Sequence, residues 1–361
     1  MNAPSFAFEG LMERGSLAAL LDATGASSTL SPRPLLGAAA LAVPQVSPAF
    51  GQAALVLAAP RTNLLLRMWS GEDAAIETSI LFAGLPGGGR GVTMNMVGDD
   101  YRIAGYVDPE AMLALIAPFL PPPLSRPLPA FVAQLPARTM AVLAGCIDLV
   151  RTNILERRVV RVLDKAPPGE AFAGDAAPLA GDHVAAYLEY VWGFSRFDQL
   201  ITHVLPLSLM PRGPSRDDVA AGLRELAAAG LFEEVRKDRW QPLPVLEPLV
   251  TSLLGASAGF QWQRISQMPV DALLIVERSF LLGAGGVALS FSQASEGILR
   301  LETCGRAEIV EFLTDELSTA TLPSMPVAAE PAHFCGQCGT PLQPGWKFCG
   351  SCGAPIAGAA A

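Results

Sequence analysis

The chain has 361 residues, 51% hydrophobic and 16% charged, which excludes a disordered chain and leaves room for two or three domains. Its net charge of −9 argues against a protein that coats nucleic acid. The uncharged run from Pro34 to Pro60 is broken by Pro44, Gln45, Pro48 and Gln52, so it makes a poor membrane span.

The opening MNAPSFAFEGLMER has no basic region ahead of an apolar stretch. No signal peptide is expected, and a cytoplasmic location is. FEGLMERGSLAALLDATG (8–25) then reads as a helix, a glycine and an apolar element. Strand patterns follow at LLLRMW (64–69), VTMNMV (92–97) and YRIAGYV (101–107), with a further candidate strand from Ala75 to Phe82. DPEAMLALIAPFL (108–120) closes this stretch as an amphipathic helix.

The middle of the chain is helical. Residues 137–163 form one long pattern without proline, and 184–205 a second, interrupted at Gly193. The first ends in Arg151, Arg157, Arg158 and Arg161. Cations suit a helix C-terminus as a solvated face, and the alternative is a docking site for an acidic partner. From Ser215, a cap residue, Val219, Leu223, Leu226 and Gly230 lie on one helical face, and LFEEV and RWQPL flank a turn at 236–238. Helix then hairpin is the order of a winged helix. Glu225, Glu233 and Glu234 stand where phosphate contacts would need positive charge.

The strand-and-helix series returns as LLIVER (273–278), VALSFS (287–292), ILRLETC (298–304) and GRAEIVEFLTDEL (305–317). The last three elements lie about 195 to 197 residues after their counterparts, the signature of an internal repeat. LLLRMW pairs with LLIVER on this reading, and 8–25 corresponds loosely to 222–240. The expected class is α+β: a pseudo-twofold body of two sheet-plus-helix halves with a central helical region. The divisions are 1–125, 126–214, 215–317, a flexible linker at 318–332 rich in proline and alanine, and a small terminal unit at 333–356.

That unit reads FCGQCGTPLQPGWKFCGSCGAPI (334–356). Cys335-x2-Cys338 and Cys349-x2-Cys352 are separated by ten residues, and Gly339 and Gly353 suit the turn each pair needs. Four thiolates from two such knuckles make a tetrahedral zinc site. Two disulfides are the competing reading, disfavoured without a secretion signal. The segment resembles the short zinc ribbons appended to many bacterial proteins. One structural zinc ion per chain is expected, with no open coordination position. Cys146 and Cys304 lie in apolar contexts and read as buried and inert.

The body has its own resemblance. GLMERGSLAALLDATG, a helical stretch, then AALVLAAPRTNLLLRMWSG and GVTMNMVGDDYRIAGYV are similar to the EspG-type chaperones of type VII secretion. That resemblance implies a pseudo-twofold body that binds helical secretion substrates without catalysis. The ribbon is a departure from that family's pattern, and no binding residue carries over.

No enzyme is expected. His183, His203 and His333 stand in no nucleophile, metal or acid–base motif. The glycine runs GLPGGGRG and LLGAGGVAL read as hairpin loops, and Asp99-Asp100 and Asp217-Asp218 as turn and helix-start acids. Two functions remain. The first is a cytoplasmic protein-binding adaptor or chaperone-like protein carrying a ribbon, with a protein partner and no membrane span. The second is a winged-helix and zinc-ribbon regulator associated with nucleic acid. The acidic charge favours the first.

Overall fold

The structure is a computed structural model. It describes residues 8–40, 42–70, 76–84, 91–107, 109–117, 120–124, 130–163, 177–192, 199–208, 212–256, 258–267, 273–321, 333–334 and 341–342. Its centre is a ten-stranded antiparallel sheet. In chain order the strands are β1 (Phe8–Glu13), β2 (Thr62–Ser70), β3 (Ile76–Gly84), β4 (Gly91–Val97), β5 (Asp100–Val107), β6 (Val132–Pro136), β10 (Ala258–Gln267), β11 (Leu273–Leu282), β12 (Ala288–Ser295) and β13 (Ile298–Cys304). Short strands β7 (Leu179–Ala180), β8 (Phe232–Arg236) and β9 (Arg239–Pro242) form a separate sheet. The helices are α1 (Arg14–Ala23), α2 (Pro48–Ala58), α3 (Pro109–Ile116), α4 (Ala137–Leu163), α5 (Gly181–Val191), α6 (Leu200–Ser208), α7 (Arg216–Ala228), α8 (Glu247–Leu253) and α9 (Arg306–Thr321). The fold is α+β.

Across the large sheet the order is β1-β5-β4-β3-β2-β10-β11-β12-β13-β6. It reads alike from either edge: an outer strand that leads into a helix, then a four-stranded meander. Strands β2, β3, β4 and β5 and helix α3 begin at 62, 76, 91, 100 and 109. Strands β10 to β13 and helix α9 begin at 258, 273, 288, 298 and 306. This places 273–278 opposite β3 rather than 64–69. In this order β2 and β10 hold equivalent places at the centre, and the sequence pattern did not single out β10. Residues 8–25 likewise open with a strand, and β1–α1 matches β6–α4 rather than 222–240. Edge strand β1 carries the helix-like sequence FEGLME, and its pairing with β5 overrides that local preference.

Strand alternation decides where the cores lie. In β10, Phe260 and Trp262 point to one face with Leu64, Leu66 and Met68 of β2. Helices α3 and α9 cover this face through Met112, Ile116, Ile309 and Leu313. On the opposite face α1 and α2 pack over β3, β4 and β5. Helices α4 to α8 pack over the second half, chiefly on Leu281, Leu289, Phe291 and Leu301.

Helix α4 matches its expected span, and Met140 to Asp148 are buried without a break. The pattern at 184–205 divides into α5 and α6. The Asp148 carboxylate accepts from the backbone N–H groups of Leu200 (2.9 Å) and Ile201 (3.2 Å), which caps α6 from inside the core. Helix α7 starts on the expected Ser215 with a reciprocal capping box to Asp218. Its Val219, Gly222, Leu223 and Leu226 face α4, where a side chain at Gly222 would meet Val142. Hairpin β8–β9 turns at Asp238 (φ 55°), and β7 adds a third strand beside β9. Helix α9 runs to Thr321, so residues 318–321 of the expected linker are helical; no proline interrupts the chain before Pro323.

Candidate functional site

The large sheet forks between β11 and β12. Strand β11 pairs with β10 along its whole length, Leu273 to Leu282. It pairs with β12 only from Arg278 onward. Strand β12 pairs with β13 through a register irregularity between Gln293 and Ser295. Among the described residues no strand pairs with the other edge of Leu273–Glu277. The fork opens a cleft of about 670 Å3.

Its lip is apolar. Leu273, Leu274 and Ile275 are each 43–54% exposed, three consecutive large apolar residues on an unpaired edge. Its floor is polar. Gln261 and Gln263 of β10 donate side-chain N–H bonds to the Glu277 carboxylate, the second at 3.4 Å. Burial pushes the Glu277 carboxyl above its ordinary value, against the opposing pull of the two glutamines and Arg67.

The far wall is held rigidly. Arg278 donates to Ser290 Oγ (2.6 Å) and Glu302 (2.8 Å), and its guanidinium lies 4.7 Å from the centre of the Phe312 ring. Glu302 also binds Arg300 at 2.6 Å. These cations are committed to their own carboxylates. The arrangement offers backbone edge, apolar contact and neutral amides, which are the means of binding a polypeptide. Among the described residues no nucleophile–base pair lines it.

The three histidines occupy dissimilar places. His203 of α6 is buried, with Nδ1 2.6 Å from Ser279 Oγ and its ring between Trp69 and Phe291, so it cements a helix to the sheet. His183 is exposed on α5. His333 is in strand β14 (His333–Phe334). Cys146 and Cys304 are buried free thiols; burial drives both upward, Cys304 to about 12, so neither is a thiolate near neutrality. Run LLGAGGVAL joins β11 to β12, with Gly285 and Gly286 at φ 70° and 86°. A Cβ on Gly286 would come 2.6 Å from Pro122 O, so the loop needs glycine there. The central residues of GLPGGGRG lie outside the described residues. Asp99 is in the β4–β5 turn, and Asp217 and Asp218 are in the first turn of α7.

Cys335, Cys338, Cys349 and Cys352 lie outside the described residues. Strand β14 pairs antiparallel with β15 (Pro341–Leu342), His333 opposite Leu342 and Phe334 opposite Pro341. Four cysteines as two pairs are a donor set that fits zinc. Zinc bound there would supply folding energy to a unit too small for a core. Among the described residues no cluster of His, Cys, Asp or Glu could hold a metal ion, and no helix is long and apolar enough to cross a membrane.

The cleft residues Gln261, Gln263 and Glu277 escaped the sequence reading. Their signal was the alternation of AGFQWQRISQ, aromatic to one side and amide to the other.

Comparison with known proteins bears on both regions. A family of zinc-ribbon domains matches residues 334–356. The terminal segment is thus similar to domains that bind zinc. No curated protein matches the chain. A chain in the solved complex of the Mycobacterium tuberculosis type VII secretion system chaperone EspG5 with the PE25–PPE41 dimer is weakly similar. It has 13% identity and a TM-score of 0.41, over 90% of this chain and all of that one.

Proposed function

We propose that this chain is a non-enzymatic, cytoplasmic protein-binding adaptor of chaperone-like type, whose body seats a partner at the fork between β11 and β12. The observation that carries the reading is the apolar, unpaired edge Leu273–Glu277 opening onto the cleft. The symmetric strand order and the near-constant spacing of corresponding elements support an internal repeat. The body then divides into halves at 1–125 and 215–317 around a central region at 126–214. The nucleic-acid reading is the weaker one: Glu233 and Glu234 are exposed on β8, where a wing would meet phosphate.

The test is affinity capture from the native host with the intact chain and with Leu274→Asp/Ile275→Asp. Both positions are exposed, so the variant should fold. A protein held by the native chain and released by the variant supports the proposal. Equal recovery by both, or salt-sensitive capture of duplex DNA alone, overturns it. For the terminal unit we propose one zinc ion bound by Cys335, Cys338, Cys349 and Cys352. Elemental analysis should find about one zinc per chain. Reduced protein with four readily alkylated thiols and no zinc would refute this.

A further inference from the structure

Helix α4 is two objects in one. Up to Ile154 it is the central helix of the second core, and Ile154 is its last buried residue among those described. It then continues to Leu163, roughly 13 Å further at the usual rise per residue. On this end Leu155, Val159 and Leu163 recur every fourth residue, 39%, 58% and 75% exposed, with Val160 beside them at 54%. A stripe of four large apolar residues on successive turns is costly to leave in water.

We propose that residues 155–163 of α4 are a docking ridge for an acidic amphipathic helix of a partner protein. The spacing gives an apolar seam, interrupted by Glu156 at its near end, of the kind that packs against a second helix, and the branched Val159 and Val160 are stiff knobs for such packing. Charge selects the partner. Helical periodicity puts positions 157 and 158, both arginine, on the two flanks of the seam, while Glu156, the only acid in the segment, falls between Leu163 and Val160. This end is a local reversal in a chain of net charge −9. A second copy would set arginine against arginine. A helix with carboxylates flanking its apolar stripe would satisfy both features. An anionic membrane suits the segment less well: it has no aromatic residue, and the seam is under three turns long.

The test titrates the full chain with two labelled helical peptides that share one leucine seam, one flanked by glutamates and one by lysines, and reads fluorescence anisotropy. The glutamate peptide should bind, and weaken about tenfold between low and high salt. Val159→Asp/Leu163→Asp should weaken it at least about tenfold. Arg157→Glu/Arg158→Glu should transfer the preference to the lysine peptide. Leu274→Asp/Ile275→Asp should leave it unchanged, which separates this surface from the cleft. Equal affinity for both peptides, or indifference to Val159→Asp/Leu163→Asp in a variant with native circular dichroism, overturns the proposal. So does binding to phosphatidylglycerol vesicles instead of the peptide, or a dimer that the same variant dissociates.

Discussion

Strands β2 and β10 meet at the centre of the sheet, and their two faces have opposite fates. On one face Leu66 stands opposite Trp262, and Met68 opposite Phe260, all buried beneath α3 and α9. On the other Leu65 stands opposite Gln263 and Arg67 opposite Gln261, and none of these four is fully buried. The same backbone serves both. The difference lies in where the chain goes next. Helix α3 follows β5 and α9 follows β13, near opposite edges of the sheet, yet both pack on the same face and meet over its centre. On the opposite face α1 and α2 pack over β3 to β5, and α6 packs on β11 and β12 and reaches Trp69 at one end of β2, which leaves Leu65, Arg67, Gln261 and Gln263 only partly covered. One face is thereby committed to stability, while the other is left with a polar floor and an open fork.

The sharpest test of this division is truncation at the sealed centre. Trp262→Ala should destabilise the body by about 3–5 kcal/mol, because its cavity is enclosed by two helices. Gln263→Ala, on the adjoining residue, should stay within about 0.5 kcal/mol, as open positions do. Urea unfolding measures both. A Gln263→Ala loss equal to that of Trp262→Ala would mean that the second face is as closed as the first.

The most deeply buried ion pair of the sealed face sharpens the comparison. Arg264 is nearly buried and binds Glu316 of α9 at 2.7 Å. Glu316 also accepts from the Trp262 indole at 3.4 Å. Glu316→Ala strands a buried cation and should cost about 3 kcal/mol. Arg264→Leu/Glu316→Leu should recover much of that loss, since the surroundings are apolar. If the double variant is no better than the single one, the pair has a role beyond mutual neutralisation.

Legibility followed how local the physics was. Helix α4 was plain, since 27 residues of helical periodicity meet no proline. Hairpin β12–β13 was plain too, from its alternation and the turn before Gly297. The zinc-ribbon reading needed only ligand spacing, which is local chemistry. Strand β10 was lost because Arg264 and two glutamines disguise a central strand, and only the Glu316 and Glu277 partners explain them. Strand β1 was lost because its pairing with β5 comes from more than eighty residues away. Neither the fork nor the register shift in SFSQASEG is announced by any residue there. The likeness in position of β1–α1 and β6–α4 was hidden because the chain between β6 and β10 is much longer than that between β1 and β2.

A smaller effect is expected where α7 meets α4. Ser215 and Asp218 cap α7 reciprocally, and Asp218 also binds Arg138 of α4 at 2.8 Å. The Ser215 hydroxyl and N–H, with help from Arg138, hold the Asp218 carboxyl below its ordinary value. Ser215→Ala should cost about 1 kcal/mol. The capping contribution is full at neutral pH and is lost as pH falls through the lowered carboxyl value. A variant as stable as the native chain at pH 7 would show that packing of α7 on α4 suffices without the cap.

The smallest effect concerns the floor of the open face. Burial raises the Glu277 carboxyl, so the folded state binds its proton more tightly than the unfolded state does. Below the unfolded value both states are protonated and no penalty exists. The penalty grows as pH rises from the unfolded to the folded value, and it persists in full above that. Glu277→Gln removes the charge while keeping an acceptor for Gln261 and Gln263. It should raise the melting temperature slightly at pH 7, and the gain should vanish near pH 4. A partner that seats a cation or N–H donors in the fork would reverse the sign, because the carboxylate would then be the favoured form. The variant should therefore be slightly more stable alone and bind its partner less tightly. A variant that is less stable at pH 7 without partner would mean that the two glutamines and Arg67 already outweigh desolvation, and that the floor is complete without a ligand.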